Sequence, residues 1–219
     1  MRRAASLLLL VWSVSPLAAA MSAEQVITHV LAQQTGVRSF QVRVVGTADF
    51  AGSRHRVDLK ISAIPGQQLA RVVFDAPSAL ADNLMIVSGQ TAYTYLYLTN
   101  QVTVQPLAKT QLGGFGFNFT QVAQLASGTS LHQFLHSATL LSSQASGRSV
   151  LYQLGIPVAA GQRLELWVSS ATWRPVSLQV AVKGGVAAQL RFESWKINPQ
   201  LSAAALKALP AGAQVVHQP

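Results

Sequence analysis

Apolar residues recur at every second position through most of this chain, and at every third or fourth in only a few stretches. The first helical stretch is "SAEQVITHVLAQQTGV", where Val26, Ile27, Val30 and Leu31 share one face, Ser22 stands at the start and Gly36 at the end. That spacing predicts one amphipathic helix over about residues 22 to 35. The period then becomes two. Phe40, Val42 and Val44 alternate with Gln41 and Arg43, and Val57, Leu59, Ile61 and Ala63 with Arg56, Asp58, Lys60 and Ser62. Val72 and Phe74 stand against Arg71 and Asp75, and "NLMIVSGQTAYTYLYL" and "QVTVQPL" continue the alternation. Such segments are half-buried antiparallel strands with one wet and one dry face.

The middle of the chain breaks the pattern. In "LGGFGFNFTQVAQLASGTSLHQFLHSATLLSS", Gly113, Gly114 and Gly116 interleave with Phe115, Phe117 and Phe119. This predicts a glycine-rich loop running into short helices around 120–126 and 131–141. Strands resume at Ser149 to Gly155, Gln162 to Ser169, Pro175 to Val182 and Val186 to Lys196, with a tight hairpin turn at Lys183-Gly184-Gly185. "SAAALKALP" predicts a helical turn or two, and "AGAQVVHQP" a fraying tail. The expected fold is mainly β (α+β): nine or ten strands in one antiparallel sheet, which at that length must curl. The helices are what can cover its dry inner face. Periodicity marks a core without saying whether it is filled, so a hollow for a guest and a sheet filled by its own helices are both open.

The first twenty residues stand apart. Arg2 and Arg3, an apolar run from Leu7 to Val14, a break at Pro16 and Ala18-Ala19-Ala20 have the form of a cleavable signal peptide. The apolar run is short for a membrane span. We expect cleavage after Ala20, with Ala23 the alternative, leaving residues 21–219 as one exported domain. The chain has no cysteine, which excludes disulfides, thiolate metal sites and a lipid-modified N-terminal cysteine. Charged residues are only 11 % and apolar residues 50 %, so disorder is not expected. The formal net charge is +9. Its cations are scattered from Arg38 to Lys207 without a run or stripe, so no nucleic-acid partner is expected; transient contact with an anionic membrane surface is compatible with the field.

Chemistry is sparse. His132 and His136 lie one helical turn apart, but Gln133 stands where a metalloprotease glutamate belongs and no third ligand is evident. The carboxylates, Glu24, Asp49, Asp58, Asp75, Asp82, Glu165 and Glu193, form no obvious close pair. There is no G-x-S-x-G elbow and no phosphate loop. Asn118-Phe119-Thr120 is a bare glycosylation sequon. We therefore expect no enzyme, no metal and no cofactor.

One segment carries a resemblance. In "LMIVSGQTAYTYLYLTNQVTV", the apolar pair Ile86-Val87, the turn Ser88-Gly89, the polar pair Gln90-Thr91, the aromatics Tyr93 and Tyr95 and the strand opening Asn100-Gln101-Val102 follow one another. This resembles the periplasmic lipoprotein-carrier family, the LolA-like proteins, whose fold the LolB-like proteins share. Ser39-Phe40 after the helix, Pro65 and Pro77 bracketing Arg71, Val72 and Phe74, and the closing "WRPVSLQV", "RFESWKINPQL" and "LPAGAQVV" occur in the family's order. Three places depart from it: Ile64 replaces a basic residue, Leu96-Tyr97 replaces an Asp/Asn-Pro, and the Gly/Phe middle matches poorly.

The resemblance implies a strongly curved antiparallel sheet forming an incomplete barrel, its concave apolar face lidded by helices. It implies a soluble monomeric periplasmic carrier of lipoprotein acyl chains or lipid, between an inner-membrane donor and an outer-membrane acceptor. Some relatives are envelope sensors or adaptors that bind a protein partner, which is the alternative. The expected cavity wall is Phe40, Val42, Val57, Leu59, Ile61, Val72, Phe74, Tyr93, Tyr95, Leu178, Val180 and Phe192, and the expected lid Phe115, Phe117 and Phe119. Tyr97 would stand at the rim. For the tyrosines, an aromatic ladder on the outer face is the other arrangement.

Overall fold

The structure, a computed structural model, describes residues 21–50, 52–110, 135–159 and 161–218. The chain starts with α1 (Ala23–Gln34) and continues through β1 (Phe40–Phe50), β2 (Ser53–Ile64), β3 (Leu69–Ala76), β4 (Leu84–Ser88), β5 (Thr91–Leu96) and β6 (Gln101–Pro106). After the central segment come β7 (Thr139–Ser146), β8 (Ser149–Ala159), β9 (Gln162–Ser169), β10 (Arg174–Val182), β11 (Gly185–Ile197), the short helix α2 (Ala203–Lys207) and β12 (Gln214–His217).

α1 begins where the sequence places its cap. The Ser22 hydroxyl accepts from the Gln25 amide at 3.2 Å, and the Ser22 amide donates to the Gln25 side chain at 2.8 Å, a reciprocal capping box. Val26 and Val30 are buried against the sheet, with Ile27 and Leu31 packed beside them.

Among the described residues the strands form one twelve-stranded sheet in the order β12-β6-β5-β4-β3-β2-β1-β11-β10-β9-β8-β7. Every pairing is antiparallel except β12 with β6, and the outer strands β7 and β12 do not meet, so the barrel is incomplete. One apolar face lies under α1. The other is polar over β1, β2, β9 and β10, but over β3–β6 it is covered by the C-terminal segment, where Leu206 joins one buried cluster with Leu69, Leu84, Ile86, Tyr95, Val102 and Val104.

Two expectations are corrected. Leu135 and His136 are helical, but from Thr139 the chain is strand rather than helix: Thr139 pairs with Gly155 and Leu140 with Leu154. Cross-strand pairing outweighs local helical spacing there. The tail does not fray either. Val215 and Val216 align with Val102 and Thr103, because β6 otherwise presents an open edge.

The polar face holds two buried carboxylates. Arg43 grips Asp58 through two hydrogen bonds of 2.8 and 2.6 Å, and Arg56 adds a third at 3.0 Å. Glu165 is held by Arg163 and by Gln153, the latter at 3.0 Å. The hydrogen bond from Arg43 keeps the Asp58 carboxyl below the usual carboxylate range, against the opposing pull of burial. A depressed folded-state pKa gives stability that is present above the unfolded value and lost as pH falls through the folded one. Asp58→Asn should therefore cost about 1–3 kcal/mol at neutral pH, by loss of charge-assisted hydrogen bonds. The difference from the parent, read from urea midpoints, should shrink as pH falls below about 4. A pH-independent difference would show that the carboxylate charge is not what stabilises.

Candidate functional site

The apolar face is built in rows that cross the sheet. Phe192, Val44, Leu59 and Phe74 stand opposite one another on β11, β1, β2 and β3. Val42, Ile61, Val72 and Met85 form the next row. On the other side Leu154, Leu166, Leu178 and Leu190 line up across β8–β11, then Ile156, Leu164, Val180 and Ala188. Each row exists because the side-chain period is two and the registers keep the apolar set in phase. Of the expected wall, Phe40, Val42, Val57, Leu59, Ile61, Val72, Phe74, Leu178, Val180 and Phe192 all belong to this one cluster beneath α1.

Tyr93 and Tyr95 do not. Val87 pairs with Ala92 and Met85 with Thr94, so Ala92 and Thr94 take the α1 side and the tyrosines the other. Tyr95 is buried under the C-terminal segment, its hydroxyl donating to Asn100 Oδ1 at 3.1 Å. Tyr93 borders a small cleft of about 150 Å³ with Ile86, Ser88 and Lys207. Both tyrosines lie on the outer face, but their cross-strand partners are aliphatic, Ile86 and Val104 for Tyr93 and Leu84 and Val102 for Tyr95, rather than an aromatic ladder. Tyr97 sits in a 3-10 turn and is exposed.

The floor is not an open hollow. Val57 and Leu59 expose none of their surface, so no water-sized void borders them. A guest has to displace what covers them. Among the described residues α1 contributes Val26 and Val30 to that cover, beside Leu135 and Leu107, and the helix is fastened by aromatic rings. Trp173, in the turn between β9 and β10, stacks on His29 of α1 with ring centroids 4.2 Å apart, and on Tyr152 of β8 at 5.8 Å. Trp195 packs on Phe40 at 5.6 Å and on Phe192 at 6.1 Å. An open cleft of about 530 Å³ runs along the helix, lined among the described residues by Met21, Ser22, Glu24, Gln25, Thr28 and His29.

Sequence reasoning passed over Trp173. Its signal is a lone tryptophan in "ATWRP", at a turn between two strands, where no strand face claims its ring. The expected lid, Phe115, Phe117 and Phe119, lies outside the described residues, as do His132 and the Asn118 sequon. Among the described residues no group of three His, Cys, Asp or Glu side chains could hold a metal. No described helix is long and apolar enough to cross a membrane.

No family model matches the chain, and no curated protein matches it. Solved structures do. An uncharacterized conserved protein from Thermus thermophilus is 22 % identical, with 90 % of this chain and 99 % of that one covered and a TM-score of 0.65. A LolA superfamily protein from Nitrosomonas europaea is 15 % identical over 86 % of this chain and 99 % of that one, with a TM-score of 0.51. A DUF1329 family protein from Desulfovibrio piger is 11 % identical over 84 % and 97 %, with a TM-score of 0.53. At such identities the likeness is one of fold: the chain has the LolA-like fold that its sequence resembles.

Proposed function

We propose that this LolA-like chain is a soluble periplasmic carrier which takes an acyl chain of a lipoprotein or lipid onto the apolar face beneath α1. The observation that supports it is a continuous apolar face covered by a helix that commits only two fully buried side chains, Val26 and Val30, to it. The magnitudes favour exchange. Burying the two valines returns together about 3–6 kcal/mol, with a further share from the half-buried Ile27 and the packed Leu31, whereas ten methylenes of a guest return about 8 kcal/mol and a longer chain more. A long acyl chain is therefore of the magnitude needed to displace the helix. Release needs no chemistry, because α1 re-covers the face when the guest leaves.

This reading assigns no catalytic role. The buried carboxylates Asp58 and Glu165 are held in ion pairs on the opposite face. The signal-like leader supports export, with an inner-membrane donor and an outer-membrane acceptor as partners.

The test is native mass spectrometry of the protein purified from its own envelope, joined to a titration with a fluorescent fatty acid. We expect a protein population carrying acyl-chain mass, and saturable one-to-one binding that unlabelled palmitate displaces. A lipid-free protein that binds no fatty acid would reject the carrier. A second reading, a sensor or adaptor binding a protein strand, is favoured by one feature. β7 is an outer strand whose residues 142–146 are all exposed and carry no charge or proline. A stoichiometric protein complex without lipid in the same experiment would support it instead.

A further inference from the structure

Among the described residues five large apolar side chains are exposed: Leu96, Tyr97, Leu98, Leu141 and Val215. Three of them gather at one place. Leu96, Tyr97 and Leu98 are consecutive at the turn from β5 to β6. Leu98 is 88 % exposed and Tyr97 56 %. A leucine so exposed touches almost nothing of its own chain.

The turn is nonetheless firmly built. The Tyr97 amide donates to Asn83 Oδ1 at 2.7 Å, and the Asn100 amide closes the 3-10 turn onto the Tyr97 carbonyl at 3.2 Å. Asn100 in turn donates from Nδ2 to the Gly212 carbonyl at 3.0 Å and accepts from the Tyr95 hydroxyl. An ordered, hydrogen-bonded turn thus holds an apolar apex out into solvent.

We propose that this tip is a membrane-docking site, which inserts Leu98 and Tyr97 into the interface of a lipid bilayer. A protrusion of three side chains falls far short of the roughly 1,000 Å² that a specific protein interface buries. A bilayer needs no matching concavity. From Asn83 to Ala108 no residue carries a charge, so nothing in this stretch has to be stripped of water on insertion. Tyrosine beside an apolar apex suits the headgroup boundary, where its ring is buried and its hydroxyl stays wet. Without Arg2 and Arg3 of the leader, the net charge of +9 becomes about +7, which still draws the molecule to anionic headgroups. Docking by the tip is independent of what the face beneath α1 binds.

The absence of native cysteine makes the test clean. Thr99→Cys, labelled with an environment-sensitive nitrobenzoxadiazole dye, is mixed with phosphatidylcholine vesicles containing phosphatidylglycerol. We expect a blue shift of the dye and co-sedimentation of the protein with the vesicles, while the same dye at Ser146→Cys on β7 does not shift. Leu98→Asp should lower vesicle partitioning at least about tenfold. Its melting temperature and its fatty-acid binding in solution should be unchanged, so a failed carrier reading and a failed tip give different results. The proposal is overturned if the protein does not sediment with vesicles, if Leu98→Asp binds them equally, or if both dye positions shift alike. It is also overturned if light scattering without vesicles shows a Leu98-dependent dimer.

Discussion

Fastening α1 to the β9–β10 turn is expected to reduce acyl-chain binding by at least about tenfold. The design uses the stacked rings of His29 and Trp173, whose centroids are 4.2 Å apart, within reach of a short bifunctional thiol reagent. The chain has no cysteine of its own, so His29→Cys with Trp173→Cys gives two unique thiols. Replacing both rings removes the stack, which is an aromatic contact worth about 0.5–1.5 kcal/mol beyond its area. Before cross-linking, the double variant should therefore bind a fluorescent fatty acid as well as the parent or better. After cross-linking with a cleavable reagent, binding should fall, and reduction should restore it. The three states share one sequence, so loss followed by recovery reports the position of the helix and not damage to the fold. If the cross-linked protein binds as tightly as the reduced one, α1 is not the cover that a guest displaces, and the face beneath it is a filled core.

That experiment turns on a residue the sequence did not advertise, and the reason is physical. Strand faces are legible because the side-chain period of two is local: Val57, Leu59 and Ile61 declare their common face in five residues. The direction each face takes relative to the cover is not local. Tyr93 and Tyr95 alternate as cleanly as the valines, yet the registers Val87 with Ala92 and Met85 with Thr94 send them to the opposite side. Their cover comes from a C-terminal segment more than a hundred residues away, through Leu206. Arg71 marks the same junction: it donates to the carbonyls of Leu206 at 3.2 Å and Ala208 at 2.6 Å, and its burial there lowers its pKa. The helix cap at Ser22 was legible, because a capping box is written in four residues. Trp173 was not, because a turn residue has no periodic neighbours to assign its ring. Nor could spacing tell a hollow from a filled trough. Val57 and Leu59 are apolar in either case, and only their complete burial separates the two.

Gly46 is the other silent position, and Gly46→Ala should be among the most damaging substitutions to the domain. Gly46 lies on β1 opposite Leu190 of β11 and Val57 of β2, in the floor under α1. A Cβ built there would stand 2.0 Å from the Gln189 carbonyl oxygen and 2.9 Å from the Leu190 Cα, and the backbone φ is +157°. Both obstacles are backbone, so no rotamer change relieves them; β1 and β11 would have to separate. We expect a loss above about 3 kcal/mol, in the range of combined backbone strain and core disruption. Gly155 on β8 is the contrasting case. Its added Cβ would also come close, 2.9 Å from Leu141 Cδ1, but Leu141 is 40 % exposed and its side chain can swing into solvent. Gly155→Ala should cost about 1 kcal/mol or less, at the mild end of overpacking. Urea unfolding of the two variants against the parent reads the difference directly. Equal midpoints for the two would mean that β1 and β11 can part without cost. In that case the close approach at Gly46 would not be what holds the middle of the apolar face together.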